Sequence, residues 1–510
     1  MPWFNSAVTS WANSGSRDLH LDLREVITPG VRGARNALVD ALRAAIRSGR
    51  LAPGAMLPPS RGLAADLGLA RNTVAEAYAE LVAEGWLASR QGAGTWVVNV
   101  RTAPLPARPR GSPGVPPHNL MPGSPDVSQF PRAAWLASTK RALASAPTEA
   151  FRMGDPLGRI ELREALTEYL GRVRGVRTRP DEIVICAGTR HGVEILGRAL
   201  GGPIAVEAYG LFLFREALQS VGVATTPISV DEDGAVIAEL DATEARAALL
   251  TPAHHFPHGV PLHPGRRTAI LDWAQRTDGY LLEDDYDGEF RYDRQPVGSV
   301  QGLDPDRVAY LGSASKSLSP VLRLGWMVLP AALIDRAVAA LGGQQYHVNA
   351  LTQLTMADFI ANGSYDKHIR HMRVRYRRRR DVLVRALEPF DVGIRGLSAG
   401  LHLQLTLPEG TEAEVLRRAG EAGIALSGLQ ILRHPDAGPD IPSTDGVVVS
   451  FGTPAEHAFG AAVDALCRVL EGLSRRGCAT RPSGSPERRS PTAAAPAPCG
   501  RAPVRPATRR

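Results

Sequence analysis

The chain has 510 residues, 44% hydrophobic and 22% charged, with a formal net charge of +7. That composition suits a folded globular protein with length for about three domains of roughly 150 residues, and it excludes a disulfide-stapled miniprotein and a wholly disordered chain. No run of about 20 apolar residues appears, which argues against a membrane span. MPWFNSAVTSW lacks the features of a signal peptide, and Cys186, Cys467, Cys478 and Cys499 share no C-x-x-C spacing, so the expectation is a reduced, cytoplasmic protein without a metal site.

Residues 1–30 read as an N-terminal arm, and residues 31–100 as a compact domain of short helices and turns. Leu38, Leu42, Ala45 and Ile46 stand at helical spacing within 34–48, and Gly49 follows as a stop. After a turn-rich connector, Ser60 is a candidate N-cap for a short helix whose buried stripe is Leu63, Ala64 and Leu67, with Gly68 ending it. A second helix spans about 71–84, with Val74, Tyr78, Leu81 and Val82 facing inward and Gly85 as its stop. Two short helices joined by a tight turn have the helix-turn-helix spacing, and WLASRQGAGTWVV reads as strand, glycine turn, strand, a wing.

The polar residues of this region stand where a reader of duplex DNA needs them. Arg71, Asn72 and Thr73 occupy the first turn of the second helix, the end that meets base edges. Arg61 can reach a phosphate, and the glycines of the wing permit close approach to the groove. Residues 31–101 hold nine arginines and five acids, a local +4. The segment LPPSRGLAADLGLARNTVAEAYAELVAEGWLASRQGAGTWV resembles the N-terminal domain of the GntR family. The resemblance implies that Arg61, Arg71, Asn72, Thr73, Gln91 and Gly92 contact operator DNA. Ala70 departs from it, because the family usually has Ser or Thr there, so an N-cap or a phosphate contact is expected to be lost.

Residues 101–118 are proline-rich and read as a linker; 103–117 alone contain six prolines. From 119 to 474, the short apolar runs EIVICAG, PIAVEA, AALLTP, GYLLEDD and RVAYLGS are mostly separated by helical patterns. That alternation predicts an α/β domain with a mostly parallel sheet, whose site lies at the strand carboxyl ends. Three features stand at such ends. EDDYDGEF supplies carboxylates that could bind a metal, orient a ring nitrogen or merely cap a helix. GSASKSLSPVLRLGW holds Lys316, one of only three lysines in the chain, with Arg323 seven residues on. CAGTRHG is a small-residue turn opening a helix, a cradle for phosphate. Amine, acid and cation together are the set that pyridoxal 5′-phosphate needs. The run RHMRVRYRRRR at 370–380 could be a second DNA patch, but it reads better as a solvated helix with Met372 and Tyr376 buried.

PGSPDVSQFPRAAW, GDPLGRIELREALTEYL, TPAHHFPHGVPL, LEDDYDGEFRY and SASKSLSPVLRLGW resemble the fold type I (class I) aminotransferases. The resemblance is strongest to the form found in MocR-type regulators, where a GntR domain is fused to that fold. It implies that Lys316 forms the Schiff base with pyridoxal phosphate, that Asp284 pairs with the ring nitrogen, and that Tyr286 meets the phenolic oxygen. Gly188, Thr189, Ser313, Ser315 and Arg323 would hold the phosphate.

Four positions depart from the enzymes. Val448 replaces the arginine that clamps the substrate carboxylate, a role an isopropyl group cannot fill. Leu211 stands where an aromatic would stack on the cofactor, although Tyr209 or Phe212 could shift into that role. Met153 replaces a tyrosine that would reach the neighbouring subunit's phosphate. Phe256 replaces an asparagine, with His254 available beside the cofactor. The expectation is a homodimeric regulator that binds operator DNA and senses pyridoxal phosphate, or an amine reacting with it, as effector, with no membrane partner. The alternatives are a working aminotransferase with a vestigial DNA domain, and a regulator that has lost the cofactor.

Residues 475–510 carry nine arginines and one acid, a +8 that leaves −1 for the rest of the chain. Poor in large apolar residues, they read as a disordered basic tail that adds salt-sensitive attraction to DNA.

Overall fold

A computed structural model of the chain describes residue 23 and residues 33–98, 116–152, 154–292, 297–342, 348–390, 392–396 and 399–477. The arm apart from Leu23, the linker up to residue 115, Met153 and the tail from 478 lie outside the described residues. The chain divides into two compact units, residues 1–114 and 115–510.

The first unit packs the helices Ala34–Arg47, Ser60–Leu67 and Arg71–Ala83 around one apolar core. Its sheet has the order β1 (Met56–Leu57), β3 (Gly94–Val97), β2 (Leu87–Arg90), all antiparallel. The expected stripes are the buried ones: Leu38, Leu42, Ala45 and Ile46, then Leu63, Ala64 and Leu67, then Val74, Tyr78 and Leu81, while Val82, also expected inward, is half-buried against the same core. Gly68 ends the second helix at φ 66°, a left-handed conformation that costs glycine no steric penalty, and its N–H returns to the Ala64 carbonyl. Two sequence expectations change. Ser60 is the first helical residue and not the cap; Pro59 holds that position, its carbonyl accepting from the N–H groups of Gly62 and Leu63. Leu23, inside the supposed arm, is 1% exposed and belongs to this core.

The second unit opens with β4 (His118–Asn119), which pairs in parallel with β16 (Ile424–Ala425). Ordered pairing therefore begins within the stretch read as linker. The principal sheet has seven strands: β5 (Ile183–Cys186), β6 (Ile204–Glu207), β7 (Thr225–Ile228), β10 (Ala247–Leu250), β11 (Tyr280–Asp284), β12 (Val308–Ser313) and β13 (Gly325–Val328). Their order is β5-β13-β12-β11-β10-β6-β7, parallel throughout except for β13. Strands such as β10 and β12 are buried along their whole length, as continuous apolar runs in a helix-covered sheet require. The short pair β8 (Val230–Asp231) and β9 (Gly234–Ala235) lies outside this sheet.

A second, antiparallel sheet has the order β14 (Gly393–Arg395), β15 (His402–Thr406), β18 (Gly446–Ser450), β17 (Ser427–Gly428). The helix Glu456–Gly477 runs three residues beyond the expected domain end at 474. The arginine run lies on one helix, Ser364–Leu387, with Met372 and Tyr376 buried as expected. Arg379 is not solvated: it is 3% exposed and ion-pairs with Asp126 at 2.7 Å and Glu456 at 2.7 Å. No helix among the described residues is long and apolar enough to cross a membrane.

Candidate functional site

In the first unit, Arg61, Arg71 and Asn72 are exposed and Thr73 is half-buried, at the starts of the second and third helices. Gln91 and Gly92 are exposed in the turn between β2 and β3, where the Ala93 N–H closes on the Arg90 carbonyl at 3.0 Å. Ala70 is the N-cap of the third helix, and no side chain caps it.

In the second unit, β5, β10, β11 and β12 bring their carboxyl ends together at one edge of the parallel sheet. β11 ends at Asp284, which is 3% exposed. Its Oδ1 has no hydrogen-bond partner among the described residues, and burial pushes its carboxyl well above the usual range. Lys316 lies just beyond β12, half-buried, with its Nζ donating to the Gly123 carbonyl at 2.6 Å. Burial lowers its pKa against the opposing pull of Asp284 and Asp287, which favours the neutral, nucleophilic amine.

Tyr286 and His254 meet beside this pair. The Tyr286 hydroxyl is 3.1 Å from His254 Nδ1, and Asp287 Oδ2 is 2.8 Å from the same nitrogen. The loop that carries His254 follows β10. Asp285 takes no part in this group: it is locked into a buried ion pair with Arg174 and accepts a further hydrogen bond from Tyr310.

Gly188 is the N-cap of the helix Thr189–Leu200, at φ 98°. A Cβ built on it would sit 4.0 Å from Arg323 Nη1, so the guanidinium lies at the N-terminus of that helix. Gly325 approaches so closely that its Cβ would fall 2.7 Å from the Gly188 Cα, and only glycine fits there. Ser313 ends β12, and its Oγ accepts from the Ser315 N–H at 3.4 Å. A helix N-terminus, a guanidinium and two hydroxyls suit a dianion. Lys316, Asp284 with its free oxygen, Tyr286 and this phosphate cradle together fit the cofactor expected from the sequence.

The substrate side is different. Val448 is fully buried in an apolar cluster with Tyr209, Leu429 and Leu432, flanked by Phe212 and Phe256. Tyr209 is not free to stack on a cofactor: its hydroxyl donates to the Pro442 carbonyl at 3.2 Å and accepts from the Thr444 N–H at 3.1 Å. Phe212 packs against the same cluster, and Leu211 stands half-buried at the start of the helix Phe212–Ser220. Asp287, His402 and Gln404 escaped the sequence reading. The signal for the last two was present in the alternation HLQLT, polar on one face of a strand and apolar on the other.

Residues 34–97 match the bacterial regulatory proteins of the gntR family, and residues 119–427 match aminotransferase class I and II. The chain is 31% identical over 432 residues to the HTH-type pyridoxine biosynthesis transcriptional regulator PdxR of Corynebacterium glutamicum, covering 83% of this chain and 92% of that protein. It is 32% identical over 422 residues to the probable rhizopine catabolism regulatory protein MocR of Rhizobium meliloti, covering 77% and 85%. Among solved structures, the Pyrococcus horikoshii kynurenine aminotransferase superposes with a TM-score of 0.63 at 25% identity, covering 70% of this chain and 91% of the enzyme.

Proposed function

Because this chain belongs to the MocR-type transcriptional regulators, which join a GntR DNA-binding domain to an aminotransferase class I and II domain, we propose that it senses pyridoxal 5′-phosphate, or an amine that meets it, and converts occupancy into altered DNA affinity. The aminotransferase class I and II family uses that cofactor. When bound, it supplies an aldehyde that condenses reversibly with amines.

Lys316 would hold the cofactor through its amine, which burial keeps nucleophilic. Asp284 would pair its unpartnered oxygen with the ring nitrogen, and Tyr286, steadied by His254 and Asp287, would meet the phenolic oxygen. Gly188, Thr189, Ser313, Ser315 and Arg323 would take the phosphate. The observation that carries the reading is a contrast: the amine, the acid and the phosphate cradle are kept, while Val448 presents a fully buried isopropyl group in place of the arginine clamp. A site that keeps the cofactor and lacks the clamp suits sensing better than amino-acid turnover.

Arg61, Arg71, Asn72, Thr73, Gln91 and Gly92 would read operator DNA in the cytoplasm, and a homodimer would engage paired half-sites. Ligand can alter DNA affinity only through different affinities for two arrangements of the protein.

The test is a gel-shift titration of the upstream intergenic DNA with and without pyridoxal phosphate. The wild-type midpoint should move with cofactor, and borohydride should fix the cofactor to the protein. Lys316→Ala should still bind the DNA with a midpoint that no longer moves. Failure to bind any upstream DNA, or sustained conversion of amino acids to keto acids, would overturn the reading.

A further inference from the structure

Strand β15 has two unlike faces. Leu403 and Leu405 enter the domain's main core with Val447 and Val449 of β18. His402, Gln404 and Thr406 occupy the other face. Each keeps a buried polar atom without a hydrogen-bond partner among the described residues: His402 Nε2, Gln404 Nε2 and Thr406 Oγ1. Three such atoms in a row are costly for a fold unless something else satisfies them. Thr406 is the outermost of the three and the least buried.

This face looks toward the candidate site. The His402 ring is 5.5 Å from the ring of His254 and 5.1 Å from that of Phe256. Gln404 stands directly opposite Val448 in the antiparallel ladder, so their side chains share a face. The amide of Gln404, 1% exposed, lies beside the position where the aminotransferase clamp is missing.

The polarity of the face is definite. His258 Nδ1 donates to Gln404 Oε1 at 2.6 Å, which leaves the Gln404 amide N–H groups as free donors. The His402 ring is hydrogen-bonded to the backbone of Pro257 through its other nitrogen, so Nε2 carries the lone pair. Burial holds its pKa down at about 3, so the ring stays neutral. Acceptor and donor thus stand two residues apart against an apolar wall, with no formal charge between them. The cation in register with Gln404 on the neighbouring strand, Arg395, is exposed on the edge strand β14.

We propose that this face selects the effector, and that the effector is a primary amine carrying a neutral hydroxyl or carboxamide in place of an α-carboxylate. Such a group both donates and accepts, and so satisfies His402 Nε2 and Gln404 Nε2 together. A carboxylate would accept from Gln404 but set its charge against the His402 lone pair and Val448. The proposal rests on the cofactor-sensing reading above.

The experiment uses the full chain loaded with pyridoxal phosphate. Glycinamide, ethanolamine and glycine are titrated in turn, read by the cofactor's visible band and by calorimetry. Glycinamide or ethanolamine should bind at least tenfold more tightly than glycine. Gln404→Leu should weaken glycinamide and ethanolamine about tenfold, with the band of the loaded protein unchanged before amine is added. His402→Phe, which keeps the ring but removes the lone pair set against a carboxylate, should lose about tenfold of the preference over glycine, so a folding defect in one variant does not decide the matter. Glycine binding as tightly as glycinamide, glycinamide binding that Gln404→Leu leaves unchanged, a preference that survives His402→Phe, or amino-acid binding that Arg395→Ala abolishes would overturn the proposal. A chain that never acquires the visible band would instead overturn the cofactor-sensing reading, and this proposal with it.

Discussion

Arg174 and Asp285, 111 positions apart, form a two-point ion pair at 2.6 and 2.9 Å, with both side chains almost wholly buried. The Tyr310 hydroxyl adds a third hydrogen bond to Asp285 at 2.7 Å. The pair clamps the residue that follows Asp284, so the end of β11 cannot rotate and the Asp284 carboxylate keeps its aim. Removing one partner strands the other charge in the interior. Arg174→Met or Asp285→Ala should therefore cost about 3–5 kcal/mol of unfolding free energy, measured by urea denaturation. Replacement of both by apolar residues should recover much of that loss, and no recovery would mean that the pair acts mainly through packing.

Two buried glutamates make stability depend on pH. Burial pushes the carboxyl of Glu207 up to about 8, although Thr251 donates to it from its N–H and its hydroxyl. Burial, and then Asp285, push Glu283 up to about 7. In the unfolded chain both would titrate near the ordinary glutamate value. Between that value and the folded pKa, the folded protein keeps a proton that the unfolded chain has lost. Their contribution to stability is therefore full below about pH 4 and falls as pH rises through 7 and 8, by up to about 1.4 kcal/mol per pH unit per group. Glu207→Gln should flatten this decline in a series of urea melts from pH 5 to 9. An unchanged slope would mean that Glu207 is already ionised in the folded state.

Much of this molecule was legible in its sequence because its signals are local. The strand ends that carry Asp284, Lys316 and Gly188 follow apolar runs bounded by small residues, and the structure brings all three to one edge of the sheet. Long-range partners were not legible. Nothing in the sequence ties Arg174 to Asp285, or Arg379 to Asp126 across 253 positions. For the same reason Arg379 read as one more solvated arginine. The antiparallel strand β13 was missed because GWMV follows the lysine loop after only a short 3-10 turn, with no α-helix between them. The polar face of His402 and Gln404 was visible as an alternation, but which face met the site depended on β18.

The proposed homodimer would need an apolar surface, and one helix offers it. Leu136 and Leu143 lie seven residues apart on the helix Arg132–Ser145 and are 55% and 49% exposed. Seven residues make nearly two turns, so both project from one face. Phe151 and Ile160 follow in the chain and are also exposed. Large apolar side chains gathered in one stretch of a folded unit mark an interaction surface. Leu136→Glu with Leu143→Glu should convert the protein to a monomer by sedimentation and weaken binding to paired half-sites more than to a single one. A double variant that remains dimeric would place the interface elsewhere.

The recognition helix begins without a cap, and that separates its stability from its reading of DNA. Ala70 sits at φ −65° and ψ 139°, the extended geometry of an N-cap, with no side-chain oxygen to accept from the first turn. Only its backbone carbonyl closes the turn, accepting from the Thr73 N–H at 3.0 Å. Ala70→Ser supplies the missing acceptor and should raise the unfolding free energy by about 1 kcal/mol without altering operator choice. Arg71, exposed one residue later, begins the helix and is proposed to meet base edges. Arg71→Ala should cost about 1–3 kcal/mol in operator binding and relax the preference at one base position. Arg61, exposed on the preceding helix, suits a phosphate. Arg61→Ala should weaken all DNA alike and lower the salt slope by about one unit. Binding isotherms at several salt concentrations, on operator and on scrambled DNA, distinguish the two. A change of sequence preference in Arg61→Ala with none in Arg71→Ala would exchange their roles.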